Sequence, residues 1–232
     1  MFILSINTAS NKSNIVLWKD GEIYELFYST NSRTYGETLT SNLQELLKKS
    51  KWNLKDVDIF SVITGPGSFT GLRIGVVTIK TLAQIYKKPT VGISYLEALA
   101  SQIAFKGLKV PILSARKGEI HAGFYVDEDP IYPEDVYPYD TFLSLLNRFS
   151  KDNHTIVTGD TPEDLKLLLP KNIILTPEFI NSIRGETLIY ITLKKYQNGY
   201  VKDYSTLLPD YRQKSSAEIN WERRHERTES KN

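Results

Sequence analysis

Gly65-Pro66-Gly67-Ser68-Phe69-Thr70-Gly71 is dense enough in small residues for a backbone to wrap around an anion. It follows a short apolar run, Ile59 to Thr64, and precedes Leu72 to Tyr86, where apolar residues recur at helical spacing. A strand, a glycine loop and a helix leave N–H groups free at the helix start, a place suited to phosphate. The same loop can simply turn the chain. It is not a P-loop, because no Gly-Lys-Ser/Thr ends it. Gly65, Gly67 and Thr70 miss the dinucleotide pattern GxGxxG at its last glycine, and three antiparallel strands precede the loop where a Rossmann unit would open. Ser68 lacks the flanking glycines of a nucleophile elbow, having Pro66 and Thr70 instead. Gly65, Gly67, Ser68, Thr70 and Arg73 remain candidates for a nucleotide-proximal loop.

Other reactive groups are sparse. The three histidines, His121, His154 and His225, lie far apart and form no HxxxH pair, so no metal site is expected. The chain has no cysteine, which removes disulfides, thiolate ligands and a cysteine nucleophile, and fits a reducing, cytoplasmic setting. Phosphoryl transfer needs a carboxylate to hold Mg²⁺ or activate the attacking group. Two matching strands end where such acids could face one another, but they carry Asn7 and Ser114. Neither is anionic. If these are site positions, they are degenerate ones.

The elements that would position these residues follow from periodicity. Phe2–Ile6, Ile15–Trp18 and Glu22–Tyr28 read as an antiparallel meander, with Asp20-Gly21 as its hairpin turn. A helix follows over about Glu37–Ser50, then strand Ile59–Thr64, helix Leu72–Tyr86 and strand Thr90–Ile93. Ser94 and Glu97 form a capping box for a helix through about Phe105. This βββαβαβα order indicates an α/β layer on a mixed sheet. After Gly107 the pattern restarts: Val110–Ser114, the turn Arg116-Lys117-Gly118, then Ile120–Val126. FILSIN and KVPILS each form an apolar strand ending in a small polar residue, which suggests an internal duplication. Asp127–Tyr139 holds three prolines and reads as loop or edge strand. Asp140 can cap a helix to Phe149; Thr155–Thr158 is a strand; Thr161-Pro162 starts a helix ending before Pro170. After a short strand at Ile173–Leu175, a long helix is expected from Glu178 to Gln197, with Gly185 as its weak point. The expected division is an N-terminal subdomain over 1–107, a C-terminal subdomain over 108–210 and a solvated tail over 211–232, in which Trp221 could anchor a partner.

Apolar residues make up 41% and charged residues 24%, with a net charge of +2, an ordinary globular balance that advertises neither nucleic acid nor membrane. No basic segment followed by an apolar run opens the chain, and no apolar run is long enough for a bilayer. The helix after the glycine loop is unusual. At 100° per residue its apolar and small residues spread over roughly 200°, twice what one neighbour needs. Either it is buried between its own sheet and the preceding helix, or part of the arc meets a second subunit. Gly71 and Gly75 on that arc would let another backbone approach.

ILSINTAS, ITGPGSFTGLRIG, SARKGEIH and PDYRQKSSAE, in that order from Ile3 to about Glu218, resemble the TsaB (YeaZ) family, relatives of the catalytic TsaD. The resemblance implies an α/β, actin- and sugar-kinase-like fold of two related subdomains, each a mixed sheet flanked by helices. It implies a non-catalytic subunit of the complex that forms N6-threonylcarbamoyladenosine on tRNAs reading codons that begin with A. The implied partners are a TsaD-like catalytic subunit, a TsaE-like ATPase, tRNA indirectly, and a second copy when TsaD is absent. No cofactor is implied for this chain, with ATP or ADP bound at most at the level of the complex. Pairing would use the first two helices, through Tyr35, Leu39, Leu43, Gly71, Ile74, Gly75, Thr78 and Leu82. Relatives commonly have aspartate at the positions of Asn7 and Ser114, and histidine where Arg33-Thr34-Tyr35-Gly36-Glu37-Thr38-Leu39 carries Tyr35. The competing class is an independent superfamily enzyme, an ATP-dependent kinase or a glycoprotease-like peptidase; the missing acids and metal histidines argue against it.

Overall fold

A computed structural model of the chain describes residues 1–29, 35–151 and 153–213. Two mixed five-stranded sheets organise it. The first is built from β1 (Phe2–Asn7), β2 (Lys12–Lys19), β3 (Glu22–Ser29), β4 (Ile59–Gly65) and β5 (Thr90–Ser94), in the order β3-β2-β1-β4-β5. Its helices are α1 (Tyr35–Ser50), α2 (Phe69–Tyr86) and α3 (Tyr95–Ser101). The second contains β6 (Leu108–Ser114), β7 (Glu119–Val126), β8 (Asp129–Pro138), β9 (Thr155–Gly159) and β10 (Ile174–Leu175), with order β10-β9-β6-β7-β8. Its sequence also supplies α4 (Tyr139–Ser150), α5 (Glu163–Lys166) and α6 (Gly185–Gln197). Read from β8, the second order repeats the first strand for strand. In each, the opening strand pairs antiparallel to the next and parallel to the fourth. The duplication, and the actin- and sugar-kinase-like arrangement of two related halves, are thus borne out.

The apolar runs are continuous because both faces of the first sheet are covered. Phe2, Leu4 and Ile6 of β1 pack with Leu39, Leu43 and Leu46 of α1 and with Val76, Ile79 and Ala83 of α2. Ile3 faces the other way, into a core with Leu99 of α3 and Leu188 and Ile191 of α6. The second sheet has its own core around Val110, Ile112, Phe124, Phe142 and Leu146. The Asp20-Gly21 turn closes the β2–β3 hairpin with both residues at positive φ, and Ser94 with Glu97 forms the expected capping box. The proline-rich stretch is the edge strand β8, where a missing N–H is tolerated.

Several boundaries depart from expectation. The long helix from Glu178 is two pieces: a 3-10 turn, Glu178–Asn181, and α6, separated by extended backbone at Ser182 and Arg184. The Glu25 carboxylate of β3 lies where a Cβ on Gly185 would fall, 2.9 Å away, so α6 starts against a distant strand that no local signal reveals. The helix after Ser94 stops at Ser101, Asp140 lies inside α4 rather than capping it, and α5 has only four residues after Pro162. The division at Gly107 separates the sheets, but a subdomain of 108–210 is at odds with the packing. Leu188, Ile189 and Ile191 of α6 are buried in the first sheet's core, Thr192 Oγ1 lies 2.8 Å from Ser61 Oγ, and Leu207 joins the opposite core. The tail from 214 onward, Trp221 included, lies outside the described residues.

Candidate functional site

The first and last of the four sequence motifs meet at the glycine loop. Ser68 caps α2, its hydroxyl accepting from Gly71 N–H at 3.3 Å, while its own N–H donates to Ala9 O at 2.7 Å. A Cβ on Gly67, at φ +159°, would lie 2.4 Å from Ala9 O, and one on Gly65, at φ +147°, 2.5 Å from Asp210 O. Thr8 Oγ1 donates to Gly71 O at 2.7 Å, and Asp210 N–H to Thr64 O at 2.8 Å. The loop that could have cradled a phosphate is therefore packed between the β1–β2 turn and the Asp210 segment. Thr70 and Arg73 remain exposed, and Arg73 is engaged: Nε donates to Tyr211 Oη at 2.9 Å, and the Tyr211 ring stacks on Phe69 at 4.9 Å.

One residue further on, Arg212 joins the two halves. Its guanidinium bonds Glu134 of β8 at 2.7 Å and Asp210 at 2.8 Å. Glu134 also receives the Tyr125 hydroxyl, and Ser94 Oγ lies 2.7 Å from its Oε2. Burial, then the Glu134 charge, pushes the Tyr125 phenol up, so it stays a neutral donor. Ser94, Tyr125, Glu134 and Arg212 line a hollow of about 570 Å³. His121, 7% exposed on β7, is lowered to about 4 by burial and then by the Arg212 charge, and its Nδ1 has no hydrogen-bond partner. Among the described residues no group of three or more His, Cys, Asp or Glu side chains is placed to hold a metal ion.

Helix α2 has two contrasting faces. Gly71 and Gly75 are buried, and their missing side chains make room for the chain itself: a Cβ would lie 1.9 Å from Thr8 O at Gly71 and 2.3 Å from Thr8 Oγ1 at Gly75. Leu39 and Leu43 are likewise core residues, 1% and 7% exposed. These four expected interface residues therefore face inward. Ile74, Thr78 and Leu82 are half-buried at the rim. The outward face carries Thr70, Val77, Thr81, Gln84 and Ile85, with Val77 59% and Ile85 63% exposed. With Ile74, these fill an arc of about 100° free of charge, and Arg73 and Lys80 border it.

Comparison with known proteins fixes the family. The model of the TsaD family, tRNA N6-adenosine threonylcarbamoyltransferase, matches residues 29–145. A TsaB, tRNA threonylcarbamoyladenosine biosynthesis protein, from Escherichia coli is 32% identical over 76% of this chain and 82% of its own length. The chain belongs to the TsaB family. A Bacillus subtilis TsaB is 27% identical over 95% of this chain and 98% of its own length. The solved YeaZ from Pseudomonas aeruginosa, 19% identical, shares the fold with a TM-score of 0.76 over 90% of this chain and 99% of that one.

In this TsaB-family chain both degenerate positions have structural roles or none visible. Asn7 closes its own turn, Oδ1 accepting from Ala9 N–H at 3.1 Å and Nδ2 reaching Lys12 O at 3.5 Å. Ser114 is exposed at the end of β6. The side chain of Tyr35 lies outside the described residues. Sequence reading missed Val77, because it adjoins the arginine and lysine side of the helical wheel, and missed the docking of Asp210, Tyr211 and Arg212. Their only signal was membership in a motif far along the chain.

Proposed function

We propose that this chain is a non-catalytic scaffold of the tRNA threonylcarbamoyladenosine pathway and binds a TsaD-like catalytic subunit through the outward face of α2. The observation that carries this reading is the uncharged, β-branched strip Val77–Thr81–Ile85, bordered by half-buried Ile74, left exposed on a helix whose opposite face is committed to the core. The same face serves a homodimer when the partner is absent, so the two assemblies compete. A TsaE-like ATPase joins the heterodimer, and any ATP or ADP is held by the assembly in the cytoplasm. The amide at Asn7, the neutral Ser114 and the packed glycine loop support a role without chemistry of its own. The test is co-purification with a TsaD-like partner. Val77→Glu with Ile85→Glu is expected to abolish association while circular dichroism stays unchanged. A folded double variant that still binds would remove α2 from the interface.

A further inference from the structure

Where α2 and α6 end, two adjoining hollows of about 500 and 530 Å³ share Val201 and Lys202 and form one open groove. Lys87, Lys88 and Lys202 line the first and Lys195 the second. The one carboxylate of the lining, Asp203, is turned back on its own backbone, accepting from Ser205 N–H at 2.9 Å and from the Ser205 hydroxyl at 2.5 Å. Lys195 is held by Glu97 at 2.7 Å and Lys88 loosely by Asp58 at 3.7 Å. Lys87 and Lys202 have no carboxylate partner among the described residues.

Lysines beyond a helix end ordinarily complement its free carbonyls. Here several of those carbonyls are already bonded by backbone N–H groups. Ala83 O accepts from the N–H groups of Lys87 and Lys88, and at the end of α6 Lys194 O, Lys195 O and Tyr196 O accept from Asn198, Tyr200 and Gly199. The groove is also prebuilt. Lys202 and Thr90 exchange backbone hydrogen bonds of 2.9 and 2.8 Å, and Thr90 Oγ1 donates to Lys202 O at 2.9 Å. Tyr200, 71% exposed, offers an aromatic face beside the lysines.

We propose that this groove binds the sugar–phosphate backbone of RNA, with Tyr200 stacking on an unpaired base. Centres of protein–protein contact are apolar and poor in lysine, whereas phosphate contacts are made by lysines spaced along a channel with an adjacent ring. The RNA is the tRNA of the pathway to which the family belongs, so the proposal rests on that pathway but not on the α2 interface, and makes the chain a direct contributor to tRNA binding. The test is fluorescence anisotropy with a labelled, unmodified transcript of a tRNA reading a codon that begins with A, between 50 and 200 mM salt. The variant Lys87→Glu/Lys88→Glu/Lys202→Glu is expected to bind at least about tenfold more weakly at the low end, with a log–log salt slope shallower by about 2 to 3, as three lost phosphate contacts require. Tyr200→Ala is expected to lose about fivefold with little change in slope. Equal affinity and slope in the triple variant overturn the proposal. So does a wild-type chain without measurable affinity at 50 mM salt, alone and with its TsaD-like partner. A triple variant that loses that partner but keeps its RNA affinity assigns the groove to protein and overturns it too. A wild-type chain that binds the transcript but not the partner supports the groove and removes the scaffold reading instead.

Discussion

The two halves share one strand order, yet they invest in opposite places. The first sheet follows β4 with an 18-residue helix and a five-residue strand, α2 and β5. At the matching position the second sheet has a four-residue helix and a two-residue strand, α5 and β10. Both fourth strands end in a glycine in the left-handed region, Gly65 at φ +147° and Gly159 at φ +113°, with backbone pressed where a Cβ would be. The turn chemistry is thus common to both copies, while the long helix with an unclaimed outer face belongs to one. Duplication supplies the scaffold; the asymmetry leaves one half with the exposed helix face that the proposed interface uses.

The comparison breaks most severely at the glycines. Gly71→Val would drive its side chain into Thr8 O, which a Cβ already meets at 1.9 Å, and Gly75→Arg into Thr8 Oγ1 and Val62. Each is expected to cost about 4 kcal/mol or more, read as a lost or greatly lowered melting transition, before any effect on association. A binding loss in Gly75→Arg would therefore report unfolding, not an interface.

The second half has a pH signature of its own. With His121 lowered to about 4 in the folded chain against an ordinary value near 6.5, the unfolded chain binds more protons in between. Stability from the neutral ring is complete above about pH 6.5 and is lost as pH falls toward 4, by about 3 kcal/mol in total. Urea melts of His121→Asn across that range are expected to show a flatter pH dependence than the wild type. Arg212→Ala, which strands Glu134 with 11% of its side chain exposed, is expected to cost about 2–3 kcal/mol. Arg212→Ala/Glu134→Gln should recover part of that loss, since the stranded charge is removed with its partner. The smallest effect on stability is expected on the outer face: Val77→Glu and Ile85→Glu should shift the denaturation free energy by less than about 0.5 kcal/mol each.

What could be read from sequence was what short range determines. The strands, the Asp20-Gly21 hairpin and the Ser94–Glu97 capping box rest on neighbours within a few residues, the repeat on the likeness of two such local patterns, and all stand in the fold. The errors share a cause. Gly71 and Gly75 looked like space for a partner because the segment filling that space, the turn at Thr8, is more than sixty residues away, as in the Thr8–Gly71 bond with its separation of 63. The helix expected from Glu178 begins at Gly185 because β3 fixes its start. Helical spacing gave the width of the apolar arc on α2 but not which part the chain itself covers; Val77 stood out only once the fold assigned the inner face.

Reconstitution of tRNA threonylcarbamoyladenosine formation with a TsaD-like subunit and a TsaE-like ATPase tests the scaffold reading most directly. Product is expected only when this chain is added, and Val77→Glu/Ile85→Glu, folded but unable to associate, is expected to leave the reaction at its level without the chain. Full product in the absence of the chain, or with the double variant, would contradict a scaffold acting through the outer face of α2.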